Sequence, residues 1–329
     1  MKSKLTTDVL KIDCEKETAK ISDRLHSVVR KELQKRGGVV ALSGGIDSSV
    51  VGALCVEALG KDRVLGLLLP EKDSSPDTLR LSRLIVDHLD IESVHEDITT
   101  ILDAAGCYRR RDEAIRSVIP EYDSDCSCKI VLPSLLSSDQ YRLFSVVVRS
   151  PDGKETKARL TPSAYSQIVA ATSFKQRVRK MMEYYHADRL NYAVIGTPNR
   201  QEYDQGFFVK LGDAAADVKP IAHLYKTQVY QMAAYLSLPK EIQNRPPTTD
   251  TYSMEQSQEE FYFSVPYDKF DLCLYGKNHG VPAAEVAEAA GLTEEQVERV
   301  YADILNKRKV TRALHMPPVL IGEVKEIKI

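Results

Sequence analysis

The stretch VVALSGGIDSSVVGAL, residues 39–54, decides how this chain folds. An apolar run, Val39 to Leu42, gives way to a cluster of serine, glycine and aspartate, and SSVVGALCVEALG follows. The apolar residues of that second segment recur at helical spacing. They predict a helix over 48–59 with Val50, Val51, Leu54, Cys55, Ala58 and Leu59 on one stripe and Gly60 as its stop. A hairpin would need a second strand after the turn, and none follows. Strand, glycine turn and helix start form the place where α/β proteins bind anions, because free N–H groups and the helix dipole both face the loop.

The neighbouring sequence repeats the rhythm. Residues 17–36 predict an amphipathic helix with Ile21, Leu25, Val28, Val29 and Leu33 inward, ended by Gly37 and Gly38. RVLGLLLP and IESVHED read as strands, with SPDTLRLSRLIVDHLD as a capped helix between them. The alternation predicts an α/β fold, a doubly wound parallel sheet. From 107 to 171 the pattern breaks into an insertion with a helix and a hairpin around Pro151-Asp152-Gly153-Lys154. The expected division is an N-terminal helix (1–36), a core domain (37–106 and 172–270), the insertion (107–171) and a helical C-terminal segment (271–329).

Composition narrows the function classes. The chain has 329 residues, 43% of them apolar and 28% charged, with a net charge of −2. That charge supplies no basic field for nucleic acid. No apolar window is long enough for a membrane span and no signal-peptide core is evident, so a cytoplasmic enzyme is expected. The six cysteines are scattered, as in reduced intracellular proteins. Cys126 and Cys128, with Cys107 upstream, lack a second Cys or His pair at zinc spacing and read as loop thiols.

The turn itself is neither the dinucleotide fingerprint nor a Walker loop, which needs a lysine absent between Arg36 and Lys61. Its backbone amides at Gly44 and Gly45 and its hydroxyls at Ser43, Ser48 and Ser49 can donate to phosphates. Asp47 inside an anion loop is repulsive unless a divalent cation intervenes, which points to Mg²⁺. The competing reading is a plain capped helix.

SGGIDSS resembles the pyrophosphate loop of the adenine-nucleotide α-hydrolase enzymes, which split ATP to AMP and pyrophosphate. IGTPNRQEYDQGFFVKLGDAAADVKPIAHLYKTQVYQMAAYL, residues 195–236, is similar to the central signature of NAD synthetases. RPPTTDTYSMEQSQEEFYFSVPYDKFD is similar to the segments that follow it there. The resemblance implies ATP-dependent amidation of nicotinic acid adenine dinucleotide by ammonia through an acyl adenylate. It also implies a homodimer.

On the same resemblance, Asp47, Lys226 and Thr248 are the catalytic candidates, and Asp47 with Glu202 the Mg²⁺ ligands. Arg177 and Thr197 join the loop, Lys226 and Thr248 at ATP, while Arg179, Lys210, Asp213 and Asp217 belong to the acid substrate. The first 38 residues are too few for a glutaminase, so free ammonia or a separate glutaminase is expected. Ser173 replaces the family's Asn, Gln258 its Asp, and Phe261-Tyr262-Phe263 a small Leu-Gly step. These departures leave open a relative that amidates another carboxylic acid. Residues 281–305 also have a helix-turn-helix cadence, but Glu294, Glu295 and Glu298 give its second helix the wrong charge for DNA. A helical hairpin packed on the sheet or across a dimer, followed by a solvated basic run 306–312, is expected instead.

Overall fold

The computed structural model describes residues 5–136, 143–249, 251–322, 324 and 326; Asp250, 137–142 of the insertion and most of 323–329 lie outside them, as do 1–4. Strand β1 (Gly38–Ala41) lies between β2 (Val64–Leu68) and β7 (Ala193–Ile195), and β3 (Glu92–His95) extends the sheet beyond β2. Every pairing in this sheet is parallel. Side chains alternate between two separate cores. Val40, Val64, Leu68 and Ile195 face one, and Val39, Leu65, Leu67 and Val194 the other. Burial on both faces is what turns these strands into uninterrupted apolar runs. The doubly wound α/β expectation holds.

Helices α1 (Cys14–Ser27), α2 (Ile46–Leu59) and α8 (Lys226–Tyr235) cover the first face. Helix α2 lies between the sheet and the outer helices α1 and α8, so Ile46 and Ser48 to Cys55 are all buried. The single stripe expected for it is therefore too narrow. Helix α1 starts earlier than expected, at Cys14, capped by Asp13, and it ends in a wide turn at Glu32. Leu33 is exposed rather than inward. Gly37 does not cap that helix. A Cβ there would lie 2.3 Å from the Arg63 carbonyl oxygen and 2.6 Å from the Tyr192 ring, so close packing demands glycine.

Helices α3 (Pro76–Leu89), α4 (Thr99–Ala104), α5 (Cys107–Arg116) and the long α6 (Pro162–Leu190) follow in order, α6 running past residue 171 without a break. The insertion holds three antiparallel strands rather than a hairpin alone, β4 (Ser127–Val131), β5 (Ser145–Arg149) and β6 (Glu155–Arg159). Cys128 is thus a buried strand residue, not a loop thiol, and all six cysteines are free. These strands share a core with Ala164 and Ile168 of α6.

Helices α7 (Arg200–Gln205) and α9 (Lys240–Gln243) are short. Helices α10 (Tyr267–His279), α11 (Ala283–Ala290) and α12 (Glu294–His315) form a fourth cluster with Leu5, Leu10 and Phe263. The hairpin α11–α12 packs on α10, not on the sheet. Its basic run is only partly solvated. Lys307 is buried and donates to the Tyr262 carbonyl at 2.9 Å, and Arg308 grips Asp204 at 2.7 and 2.6 Å. Among the described residues no helix is long and apolar enough to cross a membrane.

Candidate active site

The chain runs β1, β2, β3 to one side and then returns to place β7 on the other side of β1. At such a switch point the loops after the two strands part and leave a crevice beyond their carboxyl ends. A cavity of about 550 Å³ opens there, lined by Ala41–Ser43 and Gly45–Ser48 after β1 and by Gly196–Pro198 after β7.

Ser43, Gly45 and Ser48 line the cavity; Gly44 and Ser49 do not. The Ser48 and Ser49 hydroxyls donate to the Gly45 carbonyl at 3.0 and 2.8 Å, and the Ser43 and Ser48 hydroxyls lie 3.3 Å apart. Ser49 is fully buried and holds the turn instead of facing a ligand. The residue at the N-cap of α2 is Gly45, with no side-chain cap. The plain capped-helix reading finds no capping side chain here, and no side chain caps the first amides of α2. Gly44 has φ +69°, and a Cβ there would sit 2.5 Å from Leu81 Cβ and 2.9 Å from its carbonyl carbon. Gly44→Ala is expected to lose about 2 kcal/mol or more, from left-handed strain plus displacement of α3, measurable as a shift in the urea midpoint.

Three charged groups converge at the cavity wall. Lys226, 1% exposed, pairs through Nζ with Asp47 Oδ2. Asn199 Nδ2 donates to Asp47 Oδ1 at 2.9 Å. Asn199 also caps α7 reciprocally with Glu202: its side chain accepts the Glu202 N–H at 3.2 Å, and its own N–H reaches Glu202 Oε2 at 3.1 Å. Burial, then the charge of Asp47, pushes the Glu202 carboxyl up to about 7. Burial opposes the charge on Lys226, but Asp47 and Glu202 outweigh it and raise its pKa. Gln258, which departs from the resemblance, donates to Glu202 Oε1 at 3.0 Å and so adds a neutral donor instead of another negative charge.

Asp271 was not foreseen. It is fully buried on α10, and its Oδ2 accepts the Thr227 N–H at 2.8 Å while Oδ1 accepts Gln201 Nε2 at 2.7 Å and the Lys226 N–H at 3.4 Å. It therefore ties α8, which carries Lys226, to α7, which carries Glu202. Burial pushes its carboxyl up to about 6 against the pull of those donors. Asp271→Asn must turn an NH₂ toward at least one of three donors. The expected cost is about 1–3 kcal/mol of stability and a turnover loss of roughly tenfold or more from misplacing Lys226. Thermal melts and steady-state rates check both.

The other predicted residues divide. Thr197, Thr248, Arg179 and Asp213 line the cavity. The Arg179 Nε donates to the Leu69 carbonyl at 3.2 Å, and Asp213 Oδ1 accepts the Val209 N–H at 2.7 Å. Arg177, Lys210 and Asp217 stand outside the lining and are exposed. Lys210 donates to the Ala313 carbonyl at 2.8 Å, and Asp217 Oδ2 accepts the Val194 N–H at 2.8 Å, locking the edge of β7. The cavity does not bring these three together with the loop. Arg245, also missed, lines the cavity and donates to the Ser43 carbonyl at 3.3 Å. The bulky Phe261 and Tyr262 form an apolar wall with Phe207, whose ring stacks on Tyr262 at 4.7 Å between centroids. Ser173, the remaining departure, turns its hydroxyl back to the Val169 carbonyl at 2.7 Å.

Comparison with known proteins agrees with this fold. Two solved structures share the fold at a TM-score of 0.63. They are NMN synthetase from Francisella tularensis, 21% identical, and an NH3-dependent NAD synthetase from Campylobacter jejuni, 23% identical, each covering 95% of this chain and 100% of the other. The NH(3)-dependent NAD(+) synthetase of Rhizobium meliloti is 58% identical over 98% of this chain and 96% of its own length. That of Mesorhizobium japonicum is 57% identical over 97% and 100%. Residues 17–117 and 148–313 match the NAD synthase family, and the chain belongs to that family.

Proposed function

We propose that this protein converts nicotinic acid adenine dinucleotide to NAD⁺, using ATP and free ammonia. The observation that carries the reading is one cavity with an uncapped helix start and the Lys226–Asp47–Glu202 cluster on one wall and an aromatic surface on another. Such a cavity suits a triphosphate beside an aromatic acid. A substrate carboxylate oxygen attacks the α-phosphorus of ATP and pyrophosphate leaves. Ammonia then adds to the acyl carbon, AMP departs with the bonding pair, and the new amide sheds a proton.

The chain's own groups answer the charge problem of the first step. Ser43, Ser48 and the α2 amides would donate to the departing pyrophosphate, Thr248 would add a hydroxyl, and Lys226 a buried positive charge. Asp47 and Glu202 are hard oxygen donors, and among the described residues no group of three or more His, Cys, Asp or Glu could hold a metal alone. Two carboxylates completed by phosphate oxygens and water suit Mg²⁺, and these two would hold it, the ion supplying charge neutralisation on the phosphates. Arg179 and Asp213 would meet the acid substrate. A homodimer and a cytoplasmic setting belong to the same proposal.

The test is to incubate the purified protein with Mg²⁺, ATP, ammonium and nicotinic acid adenine dinucleotide. Stoichiometric AMP and NAD⁺ are expected. AMP without NAD⁺, or turnover only with another pyridine carboxylate, would overturn the substrate assignment.

A further inference from the structure

Residues 118–147 fall between the two stretches that match the family. Within them lies β4, whose pairing with β5 uses one edge. The other edge meets residues 253–264, the segment in which this chain carries Gln258 and Phe261-Tyr262-Phe263. The Met254 N–H donates to the Cys128 carbonyl at 3.1 Å, the Cys128 N–H to Ser253 Oγ at 2.9 Å, and the Leu132 N–H to the Glu260 carbonyl at 3.0 Å. Lys129 Nζ reaches both Glu260 carboxylate oxygens at 3.1 and 3.0 Å. Gln256, 1% exposed, donates to the Ile130 carbonyl, and its own backbone oxygen accepts the Thr249 N–H at 2.9 Å.

A second anchor stands behind this one. Lys175 of α6 is fully buried and donates to the Thr251 carbonyl at 2.8 Å, to Glu71 at 2.8 Å and to Asp73 at 2.6 Å. From α5, Tyr108 donates to Glu71 at 2.7 Å, and Arg111 pairs with Asp73. The loop after β2 and the segment after Arg245 are thereby joined through one ammonium. Both contribute to the cavity lining, through Leu69 and Pro70 on one side and Thr248, Thr251 and Gln258 on the other.

We propose that β4 and Lys175 act as a built-in brace that holds Thr248, Thr249 and residues 251–263 at the cavity before substrate arrives, with Gln256 and Lys175 as positioning residues. This rests on the reading above for the substrate but not for the brace. An active-site segment tied to its scaffold only by its own turns must be ordered by the ligand, at a cost in apparent affinity equal to the fraction of time it is competent. Here the main-chain bonds to β4 and the buried lysine remove that cost. The segment where this chain departs from the family pattern is the one that the unmatched strand holds.

Hydrogen exchange on the substrate-free protein reads the brace without any assumption about the acid. In the wild type the amides of Leu132, Met254 and Thr249 are expected to exchange as slowly as those of β5. Gln256→Met keeps length and apolar fit but deletes two side-chain bonds, the one donated to the Ile130 carbonyl and the one accepted from the Thr249 hydroxyl at 3.2 Å. It is expected to speed exchange across 249–263 while β1 and β2 stay protected. With substrates, KM for the acid rises about tenfold if the loosened segment is competent a tenth of the time, while kcat is retained. Lys175→Met is the second variant and should open the same segment from the other anchor. If wild-type 249–263 exchanges freely and becomes protected only when ATP or the acid is added, the brace is refuted. Unchanged exchange and KM in Gln256→Met refute it equally. A protein braced as expected that amidates a different acid would overturn the substrate reading alone.

Discussion

Asp47→Asn is expected to lower pyrophosphate–ATP exchange by about 10²–10³-fold, the scale on which removing one preorganised electrostatic group acts. The geometry makes asparagine a poor substitute despite its shape. Both partners of this side chain are donors, Lys226 at one oxygen and Asn199 at the other. However the new amide is turned, its NH₂ faces one of them. Removing one member of a buried ion pair ordinarily costs about 3–5 kcal/mol, but here Glu202 remains beside Lys226 and takes over as counter-charge. The loss in a melt should accordingly fall below that range while activity collapses. The charge on Asp47 is one reason the Glu202 carboxyl stands high, so the substitution should also bring that carboxyl down from about 7. Exchange activity near the wild-type level would remove Asp47 from both the metal and the catalytic assignment.

The parts of this protein legible in its sequence are those governed by local pattern. The turn at Ser43–Ser49 stands between a strand and a helix as its neighbours dictate, and the parallel sheet follows from the alternation of apolar runs. Strand β4 was not read from the sequence: Cys128 and Ile130 are buried and alternate with half-buried Ser127, Lys129 and Val131, but the polar setting hides that period of two. Other features were not local. The full burial of α2 depends on α1 and α8 lying over it, which no window of residues 46–59 reveals. Asp271 caps α8 from 45 residues away. Its sequence context, Tyr267-Asp268-Lys269-Phe270-Asp271, closes the second family-like segment, but nothing there shows which backbone amides the carboxylate meets. The motif likeness named Arg177, Lys210 and Asp217 with the rest, yet side-chain direction separates them. Arg177 and Arg179 sit two apart on a helix and so point to different sides, one to solvent and one into the cavity.

Lys226→Met carries the other large effect, and its signature is a pH dependence as much as a lost rate. Methionine matches the length of lysine and suits a position that is 1% exposed, so packing survives. What disappears is the cation between Asp47 and Glu202. Burial and the charge of Asp47 already raise the Glu202 carboxyl to about 7 with Lys226 pulling the other way, so losing that pull moves it higher still. A carboxyl raised in the folded state binds its proton more tightly there than in the unfolded chain. Stability therefore falls as pH climbs from the unfolded value of 4.5 through the folded one. In Lys226→Met that decline should extend to higher pH than in the wild type, whose decline is complete a little above 7. Adenylation should drop by about 10²–10³-fold at neutral pH, from the missing charge on the phosphates. Raising magnesium should not restore it, since the proposed ligand Glu202 then holds its proton more strongly. Melting temperatures across pH 5 to 9, paired with exchange rates at each pH, read both effects. Melting curves that parallel those of the wild type would mean that Lys226 does not offset the charge of Asp47 beside Glu202. The same result with exchange intact would also remove it from the phosphates.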